Sequence, residues 1–261
     1  MNTTRRPAVA GMFYPADPEL LRQDIELYLQ QATPAKFVPK AIISPHAGYI
    51  YSGPVAASAY ASLKPAHSKI KHVILLGPAH RVPFIGLAAP SVNSFTTPLG
   101  SIPINQALIK QLQRIPQVIT MDSAHELEHS LEVQLPFLQV ILDDFDLLPL
   151  VVGDADMDAV AEVLNLVWGG DDTLIVISSD LSHYHDYNTA QNMDSNTSRA
   201  IERLQPEHIH HDMACGRNPV NGLLAVARKK GLRANTLDLR NSGDTAGPKD
   251  KVVGYGAYVF H

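Results

Sequence analysis

Three short runs, built almost wholly of apolar residues, constrain this chain more than anything else in it. They are Ala41-Ile42-Ile43-Ser44, His72-Val73-Ile74-Leu75-Leu76-Gly77-Pro78 and Thr173-Leu174-Ile175-Val176-Ile177-Ser178-Ser179. Aliphatic runs of this length that stop at Gly or Pro turns predict strands buried on both faces. Such strands belong to largely parallel sheets covered by helices. Further strand-like pieces lie at residues 85–89, 101–104, 147–152, 237–240 and 252–260. Helical spacing recurs from Ala16 towards Thr33, where Asp17 can cap and Pro18 takes the first turn, with Leu20, Ile25 and Leu29 as its apolar face. It recurs at 53–63, 105–115, 125–142 with a kink near Pro136, 157–168, 189–204 and 220–230. Strands alternate with helices, without repeats, low-complexity tracts or long linkers. The expectation is an α/β fold: a single three-layer αβα domain over residues 1–261, with a mixed, mostly parallel sheet.

With 45% hydrophobic residues and 18% charged ones, the chain can bury enough surface to offset its ordering entropy. Lys and Arg number 21 against 26 Asp and Glu, a net charge of -5 without a basic block, so nucleic acid is not expected as a partner. A single cysteine, Cys215, excludes an internal disulfide and fits a reducing compartment. The N-terminal segment lacks an apolar signal core, and no stretch suits a membrane span; a cytoplasmic protein without membrane association is expected. The count that stands out is 12 histidines, because imidazole is both a common metal ligand and a common acid/base group near neutral pH.

Each of the three buried runs ends in a turn that carries a histidine: His46, His80 and His183, the last preceded by Asp180. In open α/β sheets, ligands bind outside the carboxyl ends of the strands, so residues just past three strand ends can converge. Two imidazoles and a carboxylate make a set suited to Zn or non-heme Fe. His125-Glu126-Leu127-Glu128-His129 also spells the zinc-protease pattern H-E-x-x-H, but it lacks any downstream extension. It reads instead as a helix start, with His129 and Glu132 as walls of the main pocket. Tyr49, Tyr51 and Ser242 are candidate substrate contacts, with packing the competing role for the tyrosines. Asp244 either caps its polar turn or supplies a carboxylate to the crevice. Cys215 reads as a structural thiol, and His208, His210 and His211 as an exposed helix face.

The chain resembles the Memo-like family, whose bacterial members are called AmmeMemoRadiSam system protein B. The resemblance runs from Arg6-Pro7-Ala8-Val9-Ala10-Gly11-Met12-Phe13-Tyr14-Pro15 to Val253-Gly254-Tyr255-Gly256-Ala257. Between them lie Pro45-His46-Ala47-Gly48-Tyr49, Leu76-Gly77-Pro78-Ala79-His80, Glu128-His129-Ser130-Leu131-Glu132-Val133-Gln134-Leu135-Pro136 and Ser178-Ser179-Asp180-Leu181-Ser182-His183. It implies a fold similar to class III extradiol ring-cleaving dioxygenases, with His46 and His80 binding a metal ion and Asp180 and His183 lining the pocket. Some members add a cysteine ligand before the last strand; counted back from Tyr255, that position is Thr245, which leaves Asp244 or His183 to complete the set. The expectation is therefore a divalent ion (Fe, Zn or Mn) on His46, His80 and Asp244. His183, Asp180 and His129 would act in catalysis, and Tyr49, Glu132 and Ser242 in substrate binding. The chemistry expected is of redox or oxygenase type on a small molecule. Its alternatives are a vestigial pocket that binds a phosphorylated or carboxylate peptide or a partner protein, and a metal-assisted hydrolase. The family name also implies pathway partners of radical-SAM and AMMECR-like type.

Overall fold

The computed structural model describes residues 3–261. In chain order the strands and helices are β1 Thr4–Arg5, α1 Pro18–Gln31, β2 Ala41–Ser44, α2 Tyr49–Tyr60, β3 His72–Pro78, β4 Leu87–Ala89, β5 Ser94–Thr97, β6 Gly100–Pro103, α3 Gln106–Leu112 and β7 Val118–Thr120. They continue with α4 Asp122–Glu126, α5 Leu135–Ile141, β8 Asp146–Val152, α6 Met157–Leu166, β9 Thr173–Ser178, β10 His183–His185, α7 Tyr187–Glu202, α8 Arg217–Lys230, β11 Ala234–Asn241 and β12 Val252–Phe260. A large sheet runs in the order β10-β12-β2-β9-β3-β8-β4-β7, with β11 paired to β12. Its centre, β2-β9-β3-β8, is parallel, and β12 joins it antiparallel. The strands β1, β5 and β6 form a second, small sheet.

The central strands are buried along almost their whole length, as continuous apolar sequence requires of strands covered on both faces. Helices α1, α2 and α5 pack together on one side, and α6 and α8 on the other. The result is the α/β sandwich with a mixed sheet that the sequence predicts. Because β2, β9 and β3 are parallel neighbours, their carboxyl ends share one edge of the sheet, which is where Pro45-His46, Ser179-Asp180 and Ala79-His80 leave them. Among the described residues no helix is long and apolar enough to cross a membrane.

Several local expectations change. Asp17 caps α1 through the N–H groups of Glu19 and Leu20, as predicted, but the helix buries Leu21 and Ile25 while Leu20 is exposed. The expected helix over 125–142 is instead α4, a break, a short 3-10 turn at Glu132–Gln134 and α5. The Glu128 carboxylate accepts the N–H groups of His129 and Ser130, donors that a continuing helix would turn back on its own carbonyls. Pro136 then sits in the first turn of α5, where its missing N–H is harmless. The histidines at 208, 210 and 211 are exposed; His208 ends a short 3-10 helix, and His210 and His211 follow it in the loop rather than on a helix face.

Candidate metal centre

His46, His80 and Cys215 each offer one ligand atom, and these atoms lie within 4.8 Å of one another. His46 leaves the end of β2 and is 2% exposed. Its Nδ1 is 2.8 Å from Ser178 Oγ, and that hydroxyl donates its one proton to the Ser130 carbonyl at 2.6 Å. The oxygen can therefore only accept from the imidazole, so His46 carries its proton on Nδ1 and leaves the Nε2 lone pair free. Gln134 Nε2 donates to the same hydroxyl at 2.8 Å and to the Pro45 carbonyl at 2.9 Å. Burial, then the neighbouring His80, His129 and His183, hold His46 well below the usual imidazole range, so it is neutral.

His80 is oriented by a carboxylate. Its Nδ1 is 2.9 Å from Glu128 Oε1, and its backbone N–H donates to Oε2 at 2.6 Å. Burial alone would raise the Glu128 carboxyl, but the hydrogen bonds and charge of His80, with the N–H of Ser130, bring it down to about 2. A fixed anion on Nδ1 again directs the free lone pair of His80 outward, the arrangement that keeps metal-binding imidazoles in one tautomer. His80, Glu128 and His129 form a second close group. Its carboxylate is already occupied by three backbone N–H groups and an imidazole, so Glu128 is an orienting group rather than a ligand of a second ion.

Cys215 arrives from the opposite side, in the turn before α8, and its Sγ is 3.2 Å from His46 Nε2. With His46 protonated on Nδ1, the thiol is the donor in this contact. Burial, then the charge of Asp180, raises the thiol above its ordinary range, so an incoming cation must displace its proton. The turn is seated by Gly216, whose N–H donates to Ser179 Oγ at 3.0 Å. A Cβ there would come within 2.7 Å of the Ser178 carbonyl oxygen. Gly216→Ala is expected to cost about 1–3 kcal/mol through this overpacking and to weaken metal binding by displacing Cys215. Urea unfolding and metal titration of the variant check both effects.

His46 and His80 border an open cavity of about 580 Å³ that Phe13, Tyr51, His129, Asp180, His183 and Tyr255 help to line. Asp180 is 4% exposed and accepts the His46 N–H at 2.7 Å; burial, against that bond, pushes its carboxyl up to about 7. His183 donates from Nδ1 to the Leu181 carbonyl at 2.8 Å, which leaves Nε2 free. His129 stacks on His80 with ring centroids 4.7 Å apart, and burial lowers it to about 4. Ser242 also lines the cavity, with its Oγ accepting the Val253 N–H.

Three expected site residues are elsewhere. Asp244 is exposed and occupied as a cap: its oxygens accept from Tyr187 Oη and the Asn241 N–H, so it is not a third ligand. Glu132 is 1% exposed and receives Arg5, the Ala8 and Val9 N–H groups and the Tyr14 hydroxyl, well inside the protein. Tyr49 is buried with its hydroxyl on the Val133 carbonyl, and its neighbour Tyr51 lines the cavity instead. The zinc-protease pattern also dissolves. His125 is buried against the Ala88 carbonyl, Glu126 is exposed, and the helix ends between the two histidines. The residue that sequence reasoning missed is Cys215. Thr245, the position expected for a family cysteine, is not in the group that could hold an ion; the thiol beside His46 is Cys215, which comes from a different loop.

One carboxylate supports the site from behind. Asp194 of α7 is 3% exposed and accepts the Ser182 N–H at 3.0 Å, beside His183. Burial, outweighing that bond, pushes it up from 3.8 to about 6. A carboxyl raised in the folded state favours folding when protonated, so its contribution is lost as pH rises from about 4 through about 6, a span of roughly 3 kcal/mol. Asp194→Asn removes that titration. Urea unfolding at pH 4 and pH 7.5 should show the variant gaining on the wild type by up to about 3 kcal/mol at the higher pH; parallel stabilities at both pH values would contradict this.

At the carboxyl edge of its sheet this α/β sandwich brings together two imidazoles and a thiol, a group that could hold a metal ion. Comparison with known proteins gives the family. The chain matches the Memo-like protein family over residues 5–259. It is 36% identical to a MEMO1 family protein of Saccharolobus solfataricus, over 98% of this chain and 99% of that one. It is 35% identical to a MEMO1 family protein of Metallosphaera sedula, with the same coverage. The chain therefore belongs to the Memo-like family. Among solved structures, an uncharacterized protein of Escherichia coli K12 shares the fold, with a TM-score of 0.54 and 11% identity over 84% of this chain and 98% of that one.

Proposed function

We propose that this protein is a metal-dependent oxidoreductase of oxygenase type, acting on a small molecule held in the cavity beside His46 and His80. The observation that carries the reading is the prepared donor set. Two imidazoles have their Nδ1 protons fixed by Ser178 and Glu128, and one thiol lies 3.2 Å from the first. Two nitrogens and a sulfur suit Fe or Zn better than Mn, since thiolate is the softer ligand. A bound ion would supply Lewis acidity and, as iron, one-electron redox chemistry.

The chain's own residues supply the rest. His183 has a free Nε2 for a substrate proton, and Asp180 can hold a proton near neutral pH. Phe13 and His129, with ring centroids 4.8 Å apart, form an aromatic wall on one side of the cavity. The likeness to class III extradiol dioxygenases that the family resemblance implies favours oxygenase over hydrolase chemistry, and a reducing, cytoplasmic setting would keep Cys215 a free thiol. Radical-SAM and AMMECR-like proteins are the proposed pathway partners.

The test is oxygen uptake, with catechol as the probe, after anaerobic loading with Fe(II), Zn(II) or Mn(II). Uptake with Fe(II) that is lost in His46→Ala is expected. Metal-dependent hydrolysis of 4-nitrophenyl acetate without oxygen uptake would replace this reading with metal-assisted hydrolysis.

A further inference from the structure

Two residues other than glycine have left-handed backbone, Leu204 with φ 53° and Tyr184 with φ 62°, among the described residues. Leu204 has an ordinary reason for it. It terminates α7, where the N–H of Leu204 bonds the Ile201 carbonyl and that of Gln205 the Ala200 carbonyl, and its side chain is 9% exposed. Tyr184 has none of these compensations. Its side chain is 72% exposed, and its hydroxyl has no hydrogen-bond partner among the described residues. For a bulky residue this conformation is a true outlier, and strain of this kind persists where the surrounding structure enforces it for a purpose.

What enforces it is the ladder between β10 and β12, whose register shifts between His183 and His185, with Tyr184 in between. A bulge re-aims a side chain. Tyr184 borders the same cavity as Phe13, Tyr51, His183 and Tyr255. Its ring stands edge-on to His183 with centroids 5.8 Å apart.

We propose that Tyr184 is a specificity-determining contact of this cavity: its strained backbone holds the ring at the rim to meet a planar, mainly apolar group of the ligand. The inference rests on the proposed function in taking this cavity as the ligand site, and its test uses no metal. Glycine adopts φ near 62° without steric strain, at an entropic cost smaller than the strain relieved, so Tyr184→Gly relieves the strain and removes the ring together, while Tyr184→Phe keeps both.

The experiment measures the thermal midpoint of the metal-free protein and its binding of the neutral fluorophore N-phenyl-1-naphthylamine. Tyr184→Gly should melt about 2–4 °C higher than the wild type and bind the probe about three- to tenfold more weakly, the worth of one aromatic contact. Tyr184→Phe should match the wild type in both. Unchanged probe binding in Tyr184→Gly, no gain in its midpoint, or no binding by the wild type would each overturn the proposal. Failure of the metal centre alone would leave it standing.

Discussion

Replacing His46 or His80 by alanine, or Cys215 by serine, should lower the affinity for Fe(II) or Zn(II) by more than about a hundredfold. Loss of even an outer hydrogen-bonding partner of a metal ligand costs about 10- to 100-fold, and a ligand contributes more than its support does. Cys215→Ser is the most informative of the three, because serine keeps the shape and removes the soft donor. The wild type should also release a proton on binding, since the thiol is held protonated by burial and by Asp180. The fold should survive each change, because His46 and His80 follow strand ends and Cys215 sits in the turn before α8, all outside the apolar core. Anaerobic calorimetric titration in buffers of differing ionisation enthalpy reads affinity and proton release together. Equal affinity in wild type and Cys215→Ser would remove the thiol from the site.

The second large effect lies in the buried knot that holds the N-terminal segment. Glu132 and Arg5 pair at 2.6 Å with side chains that are 0% and 6% exposed, and Arg5 also donates to the carbonyls of His125 and Glu128. Glu132→Ala would leave the guanidinium buried without its counter-charge and strip the Ala8 and Val9 N–H groups and the Tyr14 hydroxyl of their acceptor. Removing one partner of a buried pair costs about 3–5 kcal/mol, measurable by urea unfolding. Because the same segment brings Phe13 against His129, the variant should also open the cavity wall. A loss below about 1 kcal/mol would place the pair with surface ion pairs.

Much of this was legible in the sequence, for physical reasons that differ between elements. Residues 41–44, 72–78 and 252–260 read correctly because strands buried on both faces are continuous apolar runs. The strands β1, β5, β7 and β10 have between two and four residues each and lie outside the parallel centre of the sheet, so they leave no periodic signal. His46, His80 and Asp180 came together because parallel neighbours end on one edge. Cys215 gave no such signal, since it reaches His46 across 169 positions from a loop with no strand before it. Glu132 reads from sequence as a pocket wall because its partner Arg5 is 127 positions away, and a long-range ion pair has no local pattern.

Anomalous diffraction from crystals loaded anaerobically with Fe(II) or Zn(II) tests the metal centre most directly. A single peak is expected about 2.0–2.1 Å from the Nε2 atoms of His46 and His80 and about 2.3 Å from Cys215 Sγ. A peak on the His208 to His211 segment, or one bonded to the imidazoles with Cys215 turned away, would contradict it.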